Sequence, residues 1–224
     1  MLVTGATRGL GREVASELLA RGDRVFVTGR NLDAVERTVA ELGGDGVGVH
    51  LDVTDQASVD EAVGAVGENI DALDVLVNNA GIDYDTWQHA VTADLTVVDA
   101  ALATNLMGAW RVTLALLPIL RRSEHPRIVN VSSESGSISE MTGGTPAYAV
   151  SKAALNALTR LLAGELSPSG FLVNAACPGW TATDMGGPGG RPVAEGAASI
   201  LWAVDLPDDG PTGGYFRDGR ALPW

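Results

Sequence analysis

Met1-Leu2-Val3-Thr4-Gly5-Ala6-Thr7-Arg8-Gly9-Leu10-Gly11 is the stretch that decides the fold. Its first three residues read as a short apolar strand. A helix is expected over 9–21, where Val14, Leu18 and Leu19 recur at helical spacing. A strand, a glycine-rich turn and a helix N-terminus in that order form a cradle for a pyrophosphate. Glycines let the backbone approach the anion, and the free N–H groups and helix dipole favour it. The spacing here is Gly-x-x-x-Gly-x-Gly, and its place between strand and helix separates it from an ordinary tight turn.

Outward from this stretch, strand and helix alternate. Further strands are expected over 24–28, 47–51, 73–77, 127–131 and 172–177, with a last short one within 213–216. Helices are expected after a cap at Asn31, and over 57–67, 97–120, 146–165 and 193–204. This pattern predicts one α/β domain spanning 1–224. Its sheet would be parallel, doubly wound and Rossmann-type, with about seven strands and helices on both faces. The ligand crevice of such a sheet lies at the C-terminal strand ends, and Gly5, Arg30, Asp52, Asn78, Ser133 and Pro178 all follow strands. Asp52 either meets an adenine edge or, with Thr54 and Asp55, leads into the next helix as a cap. The polar segment 83–94, with Tyr84 and Trp87, reads as a loop or broken helix lining a pocket. Segment 184–192, with four glycines and two prolines, reads as a mobile substrate loop.

Composition narrows the partners. The chain has 224 residues, with 28 acidic against 15 basic, a net charge of −13. Nucleic acids and anionic membranes are therefore not expected to bind. The one cysteine, Cys177, forms neither a disulfide framework nor a zinc site, and reads as a buried strand residue. The longest apolar stretch, 106–120, is interrupted by Arg111 and Pro118, so no membrane span is expected. Met1 runs straight into a strand without a basic leader, which points to a cytoplasmic protein.

Of the 15 basic residues, 14 are arginine, and the only lysine is Lys152. It stands four residues after Tyr148 in the expected helix over 146–165, so the two share a helical face. A neighbouring ammonium favours phenolate, and a tuned phenol can move a proton. At the end of the second strand an acid would accept a ribose 2′-hydroxyl, whereas arginine suits a 2′-phosphate. This chain has Arg30 there, with Arg8 as a second cation. Asn105, within a mostly apolar helix, needs partners: it bonds structurally or holds a water.

These segments together resemble the short-chain dehydrogenase/reductase family, in its short single-domain, carbonyl-reductase-like branch. The resemblance rests on Thr4 to Gly11, Asp52-Val53, Asn78-Asn79-Ala80-Gly81, Asn105, the Val-Ser-Ser ending at Ser133, Tyr148-x-x-x-Lys152 and Pro178-Gly179-Trp180-x-x-Thr183. It implies reduction of a ketone, aldehyde or quinone by NADP(H), with hydride from the 4-pro-S face and Tyr148 as general acid. Lys152 would hold the nicotinamide ribose and lower the Tyr148 pKa. Ser133 would bond the substrate oxygen, although Ser135 sits at the commoner distance from the tyrosine. Asn105 would keep a relay water, and Thr183 would bind the carboxamide. The implied cofactor site comprises Gly5, Thr7, Arg8, Gly9, Leu10, Gly11, Arg30, Asp52, Val53, Asn79, Ala80, Gly81, Tyr148, Lys152, Pro178, Gly179, Thr181 and Thr183. The family's first strand usually begins several residues earlier, so a short one is expected. The resemblance also implies a homodimer or homotetramer, and the stripe Ala149, Ala153, Ala157 would suit close helix packing. An alternative reading is an NADP-binding sensor without turnover.

Overall fold

In chain order the elements are β1 (Leu2–Val3), α1 (Gly9–Ala20), β2 (Val25–Gly29), α2 (Leu32–Leu42), β3 (Gly46–His50), α3 (Gln56–Asn69), β4 (Val75–Asn78), α4 (Leu95–Ala101), α5 (Ala109–Leu120), β5 (Arg127–Val131), α6 (Pro146–Leu166), β6 (Leu172–Ala176), α7 (Val193–Val204), β7 (Tyr215–Arg217) and β8 (Arg220–Ala221). They come from a computed structural model that describes residues 1–82 and 84–224. Asp83, the first residue of the expected pocket loop, lies outside the described residues.

One sheet runs in the order β3-β2-β1-β4-β5-β6-β7-β8. All its pairings are parallel except the last, β7 with β8. The chain reverses direction of growth between β1 and β4, which both pair with nothing but parallel neighbours. That reversal opens a crevice at the strand ends. Strand residues alternate between two apolar layers, as the pleat requires. Leu2, Phe26, Leu76 and Ile128 pack with α3, α5 and α6. Val3, Val27, Val77 and Val129 pack on the opposite face with α1 and α7.

The sheet has eight strands where about seven were expected. The extra one comes from a two-residue hairpin at Asp218-Gly219, whose φ angles of 50° and 75° are both positive. Such a hairpin needs left-handed backbone at both central residues, and Asp-Gly supplies it.

The helix expected over 97–120 is also not uniform. It starts earlier, where the Asp94 carboxylate accepts Thr96 N–H, and between α4 and α5 it widens into a π-helical stretch, Leu102–Gly108. This stretch carries Asn105 inward. It also brings Gly108 so close to Val53 that an added Cβ would lie 2.6 Å from a valine methyl. The continuous run Leu95–Leu120 is apolar and long enough to cross a membrane by composition. Val112, Leu116, Ile119 and Leu120 use that apolar character in the core.

Candidate active site

The first end of the crevice is built by the turn after β1. Gly5 has φ 64° and lies against Ala80, where a Cβ would come within 3.0 Å of backbone. Gly11 has no room either, since a Cβ would meet the Asn79 amide nitrogen at 2.4 Å. That nitrogen donates to the carbonyls of Thr4 and Gly5, at 2.8 and 3.1 Å. The turns after β1 and β4 are thus locked together. Helix α1 begins without any side-chain cap and without an acid in its first turn. Its leading N–H groups face a groove of about 240 Å³, an arrangement that suits an anion.

Of the residues expected to hold a cofactor, Gly5, Thr7, Arg8, Gly9, Leu10, Gly11, Arg30, Asp52, Val53, Asn79, Ala80, Gly81, Tyr148, Lys152, Pro178 and Thr183 line this groove. Gly179 and Thr181 do not. The Thr181 hydroxyl donates to the carbonyls of Pro178 and Gly179, so it closes the turn after β6 and faces away. The groove also includes Ile82, Thr104 and Ser132, which sequence reading did not assign to it.

The two arginines differ. Arg8 makes an exposed ion pair with Asp184, 2.9 Å. Among the described residues no carboxylate pairs with Arg30, which stands exposed at the groove. Asp52 bonds Thr54 through both its N–H and its hydroxyl. Burial alone would raise the Asp52 carboxyl, but those bonds and the charge of Arg30 hold it below its usual range. The cap of α3 is Asp55, not Asp52.

At the far end, α6 brings Tyr148 and Lys152 to one side of the groove. Lys152 is buried, and its ammonium donates to the Val131 carbonyl at 2.8 Å. Burial lowers its pKa to about 8. The ammonium lies 5.6 Å from the centre of the Tyr148 ring. Burial raises the phenol to about 12, against a lowering hydrogen bond from Ser133. Desolvation outweighs that bond, and Lys152, expected to lower the phenol, does not set its pKa here. Of the two candidate serines, Ser133 faces the phenol, and its hydroxyl accepts the Ser135 N–H at 3.2 Å. Neighbouring Ser132 is buried against Asn156, 2.6 Å.

Asn105 is buried and its side chain is occupied. It accepts from Ile82 N at 2.8 Å, and donates to Ile82 O and to the Ser151 hydroxyl. Its amide thus fastens the segment after β4 to α6, the structural alternative of the two. Cys177 is buried, and its sulfur accepts the Gly179 N–H.

Segment 184–192 is more tied down than its glycines imply. Ala182 N–H donates to Arg191 O, and Arg191 N–H to Trp180 O, which closes the loop at its base. The Trp180 indole N–H donates to Gly186 O at 2.7 Å, so the loop folds around that ring. Only glycine fits at Gly189, where a Cβ would lie 2.8 Å from the indole.

The largest surprise is Asp85, an acid in the polar pocket loop that is completely buried. It accepts the N–H groups of Ala147 and Tyr148. The neighbouring Tyr84 ring meets the Tyr148 ring edge to face, 5.3 Å between centres. Nothing in the local sequence marks Asp85, because its partners lie 62 and 63 residues away.

A family profile described as short chain dehydrogenase matches residues 1–191. Among solved structures, an NADPH-bound carbonyl reductase from chicken fatty liver superposes with a TM-score of 0.91. It is 32% identical, and the match covers 100% of this chain and 98% of that one. Carbonyl reductase Sniffer of Drosophila melanogaster gives 0.89 at 30% identity, with 100% and 98% covered. The 3-oxoacyl-acyl-carrier-protein reductase of Escherichia coli is 34% identical over 184 residues, 82% of this chain and 74% of that protein.

Proposed function

We propose, from the premise that the chain belongs to the short-chain dehydrogenase family of oxidoreductases, that it reduces small neutral carbonyl compounds with NADPH. Ketones, aldehydes and quinones are the candidate substrates. The observation that carries this reading is the meeting of Tyr148, Ser133 and buried Lys152 at one end of a groove whose other end holds Arg30, which has no carboxylate partner among the described residues. The fit to a dinucleotide rests on the turn after β1, where Gly5 and Gly11 pack too closely against the turn after β4 to carry a Cβ, and on the uncapped start of α1. In this reading α1 binds the pyrophosphate, Arg30 with Arg8 takes the 2′-phosphate, and Lys152 holds the nicotinamide ribose. Thr183 binds the carboxamide. Bound NADPH supplies the hydride.

The remaining chemistry belongs to the side chains. Ser133 donates to the substrate oxygen and orients it. Tyr148 gives that oxygen its proton as negative charge develops. A phenol raised to about 12 is fully protonated at neutral pH, which suits an acid in the reducing direction. Asn105 braces the site by fastening the segment after β4 to α6.

Two features favour a free substrate over a carrier-bound one. The chain carries −13, and two arginines outside the cofactor cradle are already engaged: Arg191 with Asp218 and Arg217 with Glu134. An acidic carrier would need free cations there. We also place the protein in the cytoplasm as a homodimer or homotetramer. The surface that supports assembly is a stripe on α6 formed by Val150, Ala154, Ala157 and Leu161, and Trp110 and Leu114 of α5 are also exposed. It differs from the expected Ala149-Ala153-Ala157 stripe, because Ala149 is buried.

The test is NADPH consumption against quinones, aromatic aldehydes, cyclic ketones and β-keto esters. Tyr148→Phe is expected to lose roughly 10²-fold or more of turnover while still binding NADPH. Arg30→Ala should weaken NADPH much more than NADH. Silence from the wild-type protein across the panel, with NADPH bound, would replace this reading with the sensor.

A further inference from the structure

We infer that Asp85 is a positioning residue for Tyr148, acting through the N-terminus of α6. The inference rests on the reading of Tyr148 as proton donor. The backbone bookkeeping of that helix start leads to it. The residue before the helix, Thr145, has φ 44° and ψ 49°, and its side chain caps nothing. A β-branched residue in this left-handed region is an outlier that surrounding structure must hold in place. Pro146 has no N–H to satisfy. Two free amides remain in the first turn, those of Ala147 and Tyr148, and the catalytic position is itself one of them.

Both are taken by one carboxylate. Asp85 Oδ2 accepts from Ala147 N at 3.0 Å and Oδ1 from Tyr148 N at 3.1 Å. A buried carboxylate is costly unless it is fully bonded. Among the described residues no cation pairs with Asp85, so its charge is met by these amides and by the positive end of the helix dipole. A third bond comes from Gln88, whose side-chain amide donates to Oδ2 at 3.1 Å. Gln88 in turn accepts Asp94 N–H at 2.7 Å, and Asp94 caps α4. Asp85, Gln88 and Asp94 therefore tie the starts of α4 and α6 together through one loop. From the same loop, Tyr84 packs edge-on against the Tyr148 ring. Backbone and ring of the proton donor are both fixed from this segment.

The geometry separates this role from ordinary stability. An error at the first turn of α6 moves Tyr148 most, and leaves the glycine cradle and Arg30 untouched. The experiment compares wild type, Asp85→Ala and Asp85→Asn with NADPH bound, and reads kcat, KM, NADPH affinity and amide hydrogen exchange. For Asp85→Ala, kcat should fall about 10- to 100-fold, the scale of a misplaced reacting group, with NADPH affinity nearly unchanged. Exchange should quicken in 145–150 and stay slow in 155–166. Asp85→Asn keeps an acceptor oxygen and should recover most of kcat and of the protection; it also serves if the alanine variant does not fold.

Wild-type kcat in Asp85→Ala would overturn the inference. So would loss of kcat together with NADPH binding and protection along the whole helix, which marks general unfolding. If the wild-type protein reduces no carbonyl, the reductase reading fails separately. Exchange then decides for Asp85: faster exchange confined to 145–150 upholds its hold on Tyr148, and unchanged exchange refutes it.

Discussion

Lys152 shows at the scale of one residue what the site costs the fold. Its folded pKa of about 8 lies below the ordinary 10.5, because burial penalises the ammonium. The unfolded chain therefore holds this proton more tightly. The penalty is in full force below pH 8 and disappears as pH rises towards 10.5, a span worth about 3 kcal/mol. Lys152→Met is expected to be more stable than wild type at pH 7 by about 1–3 kcal/mol, since it also loses the bond to Val131 O. The gap should close by pH 10.5, and urea unfolding at pH 7 and pH 10 measures it. The raised phenol of Tyr148 has the opposite sign, with stability present below pH 10 and lost above it, but it is common to both proteins and drops out of the difference. The pair Tyr148–Lys152 was legible in the sequence because a spacing of four is a local property. Their protonation was not, because burial is set by segments far along the chain.

At the scale of elements, sequence reading worked where signals are short-range. Asn31 caps α2 as expected, accepting an N–H from the first turn. Helix α7 occupies the expected span. The π-helical stretch was hidden because its apolar pattern continues that of its flanks. Strand β8 was available in principle from Asp218-Gly219, but two residues of strand give no periodicity to find. Thr145 gives a test of element energetics. Left-handed backbone costs a non-glycine residue about 1–2 kcal/mol, and glycine itself costs about 0.5–1 kcal/mol of chain entropy. Thr145→Gly should therefore stabilise the protein slightly and raise Tm by about 1–3 °C, as calorimetry can check. A fall in Tm would mean that the threonine side chain contributes packing that outweighs its backbone strain.

At the scale of the whole molecule, the order of the strands gathers the site. Residues that follow β1, β2, β3, β4, β5 and β6 all meet at one edge, so the alternating pattern of the sequence already located the crevice. Assembly is a second whole-molecule property. If the α6 stripe joins two copies, light scattering will give twice the chain mass, and Leu161→Glu will give a monomer; a wild-type monomer would refute the dimer. The bonds of Asp85 carry one more consequence, which concerns time. They join residues 62 and 63 positions apart, and contacts that close long loops form late in folding. The glycine turn waits on a longer span still, because Asn79 ties it to the end of β4 across 75 and 74 positions. Cofactor affinity and catalysis should therefore return together on refolding, since neither cradle nor proton donor is complete until distant segments have met.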